Sequence, residues 1–187
     1  MYDVAIIGAG PAGASAALFT AKAGKKTMLI DNGKSLTKKA WIENHYGVEG
    51  IEGPALVDIG IKQATKQGSE FLEESVVNIS KDGDAFTIET ENNKVAAKHV
   101  VIASGVLTDV ADKVGLTLVP GTEPRIKTII KTDSDGKTNI DGIWAAGTVA
   151  GVSVHTIITA GHGAHVAINI VSEINGERYV DHDILQS

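Results

Sequence analysis

Gly8-Ala9-Gly10-Pro11-Ala12-Gly13 forms a G-x-G-x-x-G series, and Asp31 follows eighteen residues after its last glycine. Such a spacing suits phosphate chemistry. Glycine at position 8 permits a tight turn, glycine at 10 lets a pyrophosphate approach the backbone, and glycine at 13 lets a helix pack closely on a strand. Unpaired N–H groups in the first helical turn, together with the positive end of the helix dipole, would stabilise the phosphate charge. An acid at position 31 can accept hydrogen bonds from ribose hydroxyls and disfavours a ribose 2′-phosphate, which argues against NADP at this site. A glycine turn required only for packing would share the series, so its surroundings decide.

Those surroundings predict a β-α-β unit. Residues 2–7 are an apolar strand, residues 14–23 a run of small residues and strong helix formers closed by Gly24, and residues 27–31 a second strand. Residues 32–53 are polar and turn-rich, too long for a passive connector, and are expected to be mobile or held against a ligand. Pro54 opens a predicted helix over residues 55–67 with Leu56, Ile59 and Ala64 on its buried side. Strands are expected at 70–72, 76–80 and 85–91, with Lys81-Asp82-Gly83-Asp84 as a hairpin turn. Residues 100–103 are fully apolar, as strands inside a sheet are, and residues 142–147 form another strand with a glycine exit. Ile157, Ala160, Ala164, Ile168 and Val171 predict one buried face for a last helix over residues 155–174. Residues 106–141 show only a β-prone stretch at 126–130, and the final residues read as a surface tail. The fold class is therefore α/β: a Rossmann-like domain with a central parallel sheet and a small antiparallel β-meander.

Composition narrows the function classes. A chain of 187 residues, 43% hydrophobic and 21% charged, has room for one domain with a full core, so residues 1–187 are read as a single domain. No apolar run approaches the ~20 residues of a membrane span. With 17 Lys plus Arg against 23 Asp plus Glu, the net charge of −6 gives no reason to expect nucleic acid or an anionic membrane as partner. The absence of cysteine excludes disulfides, thiolate metal sites, a cysteine nucleophile and dithiol redox chemistry. No secretory signal precedes the first strand, so a cytoplasmic location is expected.

Pro11-Ala12-Gly13 makes the glycine series similar to the FAD-binding half of pyridine nucleotide-disulfide oxidoreductases, and the resemblance continues in order along the chain. Residues 33–47, with Leu36, Thr37, Glu43-Asn44 and Gly47, resemble the flavin-contacting loop of thioredoxin reductases. Gly53, Leu56, Gln63-Ala64 and Gly68 resemble the helix after it. Val101-Ile102-Ala103-Ser104-Gly105 is similar to the family's apolar strand and A-T-G segment, with Ser104 in place of threonine. Residues 142–147 resemble the strand before the G-D pair, and residues 158–163 resemble the start of the last helix.

Three departures accompany these matches. Only 36 residues separate Gly105 from Gly142, where the family inserts a nicotinamide domain, so no second Rossmann unit fits there. The redox-active C-x-x-C is missing, and Thr148 stands where the G-D pair has its aspartate, which removes one charge-assisted contact to a ribityl hydroxyl. Gly161-His162-Gly163 lies in a helical pattern with no strand before it and reads as close packing near the flavin.

The resemblance implies FAD as cofactor. Gly8, Gly10, Pro11, Ala12 and Gly13 would hold its pyrophosphate and Asp31 its adenosine ribose, with Asn32 and Gly33 beside it. Val76 would meet the adenine through its backbone. Leu36, Thr37 and Asn44 would line the isoalloxazine, Ala103, Ser104 and Gly105 would border the cofactor, and Gly147, Thr148 and Val149 would face the ribityl or phosphate. His155 and Thr156 fall where the family's last helix points its N-terminus at the flavin pyrimidine; His155 reads equally well as a polar helix-start residue. The implied protein is a flavoprotein, and a homodimer. If an enzyme, it takes electrons from NAD(P)H or a separate reductase and passes them to a quinone, oxygen or a partner protein. A non-catalytic module sensing FAD or another dinucleotide, and a protein holding NAD, remain the alternatives.

Other residues carry weaker signals. His162 and His165 have the i, i+3 spacing of paired metal ligands but lack a third, so no metal is expected. There is no G-x-S-x-G elbow for a hydrolase. Lys38 and Lys39 are a solvated pair or an attractor for an anionic partner. Trp41 is placed to cover or guard the flavin, and Trp144 is core with an N–H that needs a partner.

Overall fold

The computed structural model describes residues 1–181 and 183–185. Strand β1 (Tyr2–Ile7) runs into α1 (Pro11–Lys22) and β2 (Thr27–Asp31). A 3-10 turn (Leu36–Lys39) and a small hairpin, β3 (Trp41–Ile42) with β4 (Ile51–Glu52), lead into α2 (Gly53–Lys66). There follow β5 (Glu70–Glu73), β6 (Val76–Asp82), β7 (Ala85–Thr90) and β8 (Lys94–Ile102), then α3 (Asp109–Val114) and the hairpin of β9 (Leu118–Pro120) with β10 (Thr128–Ile130). β11 (Ile143–Ala145), a second 3-10 turn (Thr148–Ala150) and α4 (Thr156–Asn175) complete the described elements.

The sheet has the order β5-β2-β1-β8, all parallel, and β8 divides its outer edge between two partners. Its first half pairs antiparallel with β7, through Val95 opposite Ile88, and its second half pairs parallel with β11, through Val101 opposite Trp144. β6 and β7 close the meander around a turn whose Gly83 has φ +59°. The strand is thus longer than the apolar run at 100–103. Residues 94–98 alternate exposed Lys94, Ala96 and Lys98 with buried Val95 and Ala97, the two-residue period of a half-buried strand.

The parallel strands are covered on both faces, which explains their continuous apolar character. Ala5, Ile7, Ile30, Val100, Ile102 and Ile143 face a core shared with the meander, α3 and β10. Val4, Ile6, Leu29, Val101 and Trp144 face the layer of α1, α2 and α4. Helix α1 is buried almost all round because its alanines let neighbours approach: Gly60 of α2 and Gly163 of α4 would each drive a Cβ into it, at 2.9 Å from Ala14 Cβ and 2.0 Å from the Ala12 carbonyl oxygen.

These close crossings turn both covering helices partly away from the faces expected from apolar spacing, of which Ala64 and Val171 are buried as expected. On α2 the buried positions are Gly53, Val57 and Ala64, and Ile59 is exposed. On α4 they are Thr156, Thr159, Gly163, Val166, Ala167, Ile170 and Val171; Ile157 is exposed and Ala160, Ala164 and Ile168 are half-buried. Small residues, which weigh little in a hydrophobic pattern, choose the face because they set the distance of approach. The chain after α4 is fastened to α1 by Lys22, whose Nζ lies 3.1 Å from Asp181 and 2.6 Å from Asp183. His182, one of the six histidines, lies outside the described residues.

Candidate functional site

A cavity of about 630 Å³ opens at the C-terminal ends of β1, β2, β8 and β11, the end at which parallel α/β sheets hold ligands. Its floor is the turn from β1 into α1. Gly8 takes φ +102°, donates its N–H to the Ile30 carbonyl at 2.7 Å, and would place a Cβ 2.4 Å from the Ala103 oxygen. Gly13 would place one 1.7 Å from the Gly8 oxygen. Both glycines are required by the approach of three strand ends. The start of α1 has Pro11 in its first turn, no side-chain cap and no acidic residue in that turn. The first backbone bond there runs from Ala14 N–H to the Gly10 oxygen, so the N–H groups of Ala12 and Gly13 have no intrahelical acceptor. An anion is the natural complement.

Asp31 ends β2, is 7% exposed, and lines this cavity. One carboxylate oxygen accepts the Ala9 N–H at 2.8 Å and the other the Gly33 N–H at 2.7 Å. It therefore fastens the glycine turn to the loop after β2, and each oxygen keeps a lone pair for a ligand. Gly33 itself is off the cavity lining, as is Gly13 behind the turn.

The opposite wall comes from β8 and residues 103–113. Ser104 Oγ donates to the Leu107 oxygen at 2.5 Å, closing a turn in which Gly105 has φ +70°. Val110 and Lys113 of α3 also face the cavity, with Lys113 Nζ donating to the Val77 oxygen at 3.3 Å. Beside Val76, Glu74 accepts from the Thr90 hydroxyl first and from Asn92 and Asn93 besides; these donors hold its carboxyl below the usual carboxylate range.

The third wall follows β11. Gly147, at φ +83°, would place a Cβ 2.7 Å from that of Ala12, and it donates its N–H to His162 Nδ1 at 3.0 Å. Burial, and secondarily the charge of His165, lowers the pKa of His162. Thr148 lines the cavity and Val149 turns into the core behind it. At the start of α4, Thr156 Oγ1 lies 2.9 Å from His45 Nδ1, which ties residues 32–53 to this helix. His155 is exposed and off the cavity lining; its Nδ1 lies 2.8 Å from Ser153 Oγ, which donates to Glu123 at 3.1 Å.

Gly8, Gly10, Pro11, Ala12, Asp31, Asn32, Leu36, Thr37, Val76, Ala103, Ser104, Gly105, Gly147, Thr148 and Thr156 thus come together on one cavity. Gly13, Gly33, Asn44, Val149 and His155 do not line it. Asn44 is exposed, and its neighbour His45 makes the contact across to α4. Trp41, 63% exposed, bonds Glu43 and is likewise off the lining, whereas Trp144 is buried and donates to His99 Nδ1 at 3.4 Å. Lys34, Ser35, Glu74, Val110 and Lys113 were missed. Val110 and Lys113 belong to a segment without a motif, but Lys34 and Ser35 lie in the loop after β2 read as ligand-facing, and Glu74 lies just past the end of β5, a signal available in the sequence. Among the described residues no group of three His, Asp or Glu side chains is arranged to hold a metal.

The family model for pyridine nucleotide-disulphide oxidoreductases matches residues 2–129. A thioredoxin reductase of Aquifex aeolicus (strain VF5) is 38% identical over 114 residues, 57% of this chain and 35% of that protein. One of Peptoclostridium acidaminophilum is 36% identical over 109 residues, 56% of this chain and 35% of that protein. The match spans about a third of the length of these relatives. Among solved structures, a thioredoxin reductase from Gloeobacter violaceus aligns with a TM-score of 0.84 at 16% identity, over 98% of this chain and 99% of that one. Lactococcus lactis thioredoxin reductase aligns with 0.73 at 22% identity, over 92% and 100%. The structural likeness shows a shared Rossmann-like fold, and with a family match over more than half its length this chain belongs to the pyridine nucleotide-disulphide oxidoreductase family.

Proposed function

We propose that residues 1–187 form a single FAD-binding domain of oxidoreductase type, which receives electrons from an outside donor and passes them to a partner acceptor. The observation that carries it is the meeting of three backbone turns, at Gly8 to Gly13, Ala103 to Gly105 and Gly147 to Thr148, around one cavity with unpaired N–H groups at the start of α1. That donor set, in a cradle whose turns a Cβ at Gly8 or Gly147 would force apart, at Ala103 and Ala12, fits a dinucleotide pyrophosphate. FAD, when bound, supplies a ring that accepts and releases a hydride or single electrons.

The chain's own residues bind and orient. The first turn of α1 holds the pyrophosphate, Asp31 accepts from the ribose through its remaining lone pairs, and Leu36 and Thr37 flank the ring from the loop tied down by His45. Between Gly105 and Gly142 the chain forms α3 and the β9–β10 hairpin, so the electrons come from diffusing NAD(P)H or a separate reductase. Without cysteine, the acceptor is a quinone, oxygen or a partner protein. From its resemblance to thioredoxin reductases we take the protein to work as a homodimer, and a cytoplasmic location is part of the same proposal.

The test is the visible spectrum of the purified protein and the mass of any released cofactor; a colourless protein that ignores added FAD would sink the proposal. Anaerobic mixing with NADH and NADPH then separates catalysis from sensing. Rapid bleaching marks an enzyme. Tight FAD binding with no reduction by either donor marks a non-catalytic module, a reading that Thr148 in place of the family's aspartate favours. A monomer in sedimentation at micromolar concentration would contradict the dimer.

A further inference from the structure

We propose that His162, which does not line the cavity, is a positioning residue for the dinucleotide. Its neutral imidazole locks the Gly147 turn in the binding conformation, and protonation of Nδ1 releases that turn and weakens binding. The inference rests on the FAD-binding function proposed above and names a control on the same site.

The geometry begins with Gly147. At φ +83° and ψ −154° its backbone occupies a region that is essentially glycine's alone, and its N–H points away from the cavity into the protein. A buried N–H needs an acceptor, and the one supplied is an imidazole nitrogen from α4, fifteen residues on. Gly163 makes that reach possible. Its missing side chain lets α4 approach the Ala12 carbonyl, and Gly147 packs on the side chain of the same Ala12. His162 thus stitches the turn carrying Thr148 to the turn carrying the first N–H groups of α1. Gly161, whose Cβ would meet nothing within 4 Å, is not part of this contact.

Accepting the Gly147 N–H leaves no proton on Nδ1, so the neutral ring carries its proton on Nε2. A second proton would set two donors against each other across 3.0 Å. Around the ring, Ala12 and Gly147 bring no charge. His165 of the same helix, its ring stacked at 6.3 Å, is the titratable neighbour that acts on it and opposes its protonation. Asp133 and Asp135, on the loop near His165, act on Lys137, as does Glu173 of α4. Burial favours the neutral ring, so the lock is closed at pH 8 and opens as the pH falls below the ordinary histidine value of about 6.5.

The test measures FAD affinity between pH 8 and pH 5.5 in the wild-type protein and in His162→Asn and His162→Phe, each checked for folding by thermal melting. Asparagine can offer an oxygen near the place of Nδ1 and does not titrate; phenylalanine offers no acceptor. Wild-type affinity is expected to fall as the pH drops across this range, toward a limit of about tenfold, the value of one lost hydrogen bond. The asparagine variant should stay within about twofold of its pH 8 affinity, and the phenylalanine variant should be about tenfold weak throughout. An asparagine variant that weakens in parallel with wild type, or a phenylalanine variant that matches wild type at pH 8, overturns the proposal. If no form binds FAD, the function proposed above fails, and the lock is decided by the Gly147 amide resonance of the ligand-free protein. Protection from exchange at pH 8, lost at pH 5.5 in wild type and retained in His162→Asn, supports it; protection unchanged by pH in wild type overturns it.

Discussion

The two glycine turns that meet at Ala12 are secured by different chemistry. The turn at residues 8–13 is held by the Asp31 carboxylate, through Ala9 N–H, and by the Gly8 N–H bond to β2. The turn at Gly147 is held by the Ala146 N–H bond to the Ile102 carbonyl of β8, by the Ala150 N–H on the Gly147 carbonyl, and by one neutral nitrogen of His162 as its side-chain anchor. Bonds to a carboxylate are roughly twice as strong as neutral ones. The side-chain anchor of the first turn comes from a neighbouring strand of its own β-α-β unit, and that of the second from a helix that follows it. Both turns carry a backbone bond to a strand, so the difference lies in the side-chain anchor; the weaker one, at Gly147, is where adjustment at one wall of a site can tune affinity without disturbing the fold.

The sharpest way to break this comparison is Gly13→Ala. A Cβ placed 1.7 Å from the Gly8 oxygen forces the first turn apart, and a loss of about 3 kcal/mol or more is expected in urea unfolding. A variant with the wild-type midpoint would show that the turn is not fixed. Asp31→Ala removes two bonds to a buried carboxylate and should cost about 3 kcal/mol, with Asp31→Asn, which keeps one acceptor, costing about half; equal losses would mean that the two bonds are not independent anchors.

A smaller effect is expected from pH. Burial lowers the pKa of both His99 and His162, so the unfolded chain takes up protons at a higher pH than the folded one. Their contribution is present above about pH 6.5 and is lost as the pH falls through the lowered folded values. The urea midpoint should be lower at pH 5 than at pH 7.5, and replacing both histidines with asparagine should flatten that slope. An unchanged slope in the double variant would place the effect elsewhere. The smallest change, and a gain, is Gly161→Ala. This helical glycine is exposed with open space around it, and alanine should stabilise by about 0.5–1 kcal/mol in the same unfolding experiment, in contrast to the neighbouring Gly163→Ala, which meets the Ala12 oxygen.

Much of the fold was legible because its strands are short, apolar and flanked by glycine. The β-α-β unit, the β6–β7 hairpin, β11 and the last helix fall where the residues place them. The meander's continuation into β8 was missed at 94–98, where alternation with small residues gave a weaker signal than the apolar run after it. Residues 106–141 carry no periodicity from which α3 could be read, so Val110 and Lys113 on the cavity wall had no signature. The loop at 32–53 could be named as ligand-facing, but its contact to α4 falls on His45 rather than on Asn44.

By itself the sequence determined the local unit: a strand, a glycine turn, a helix start with spare N–H groups, and an acid at the end of the next strand. These are settled by backbone sterics and by neighbours close along the chain. Which faces of α2 and α4 are buried, which residues wall the cavity and what holds the turn at Gly147 were decided only by the tertiary structure. Each of these depends on how closely two helices approach, and that distance is set by glycines and alanines that pattern analysis counts as neutral.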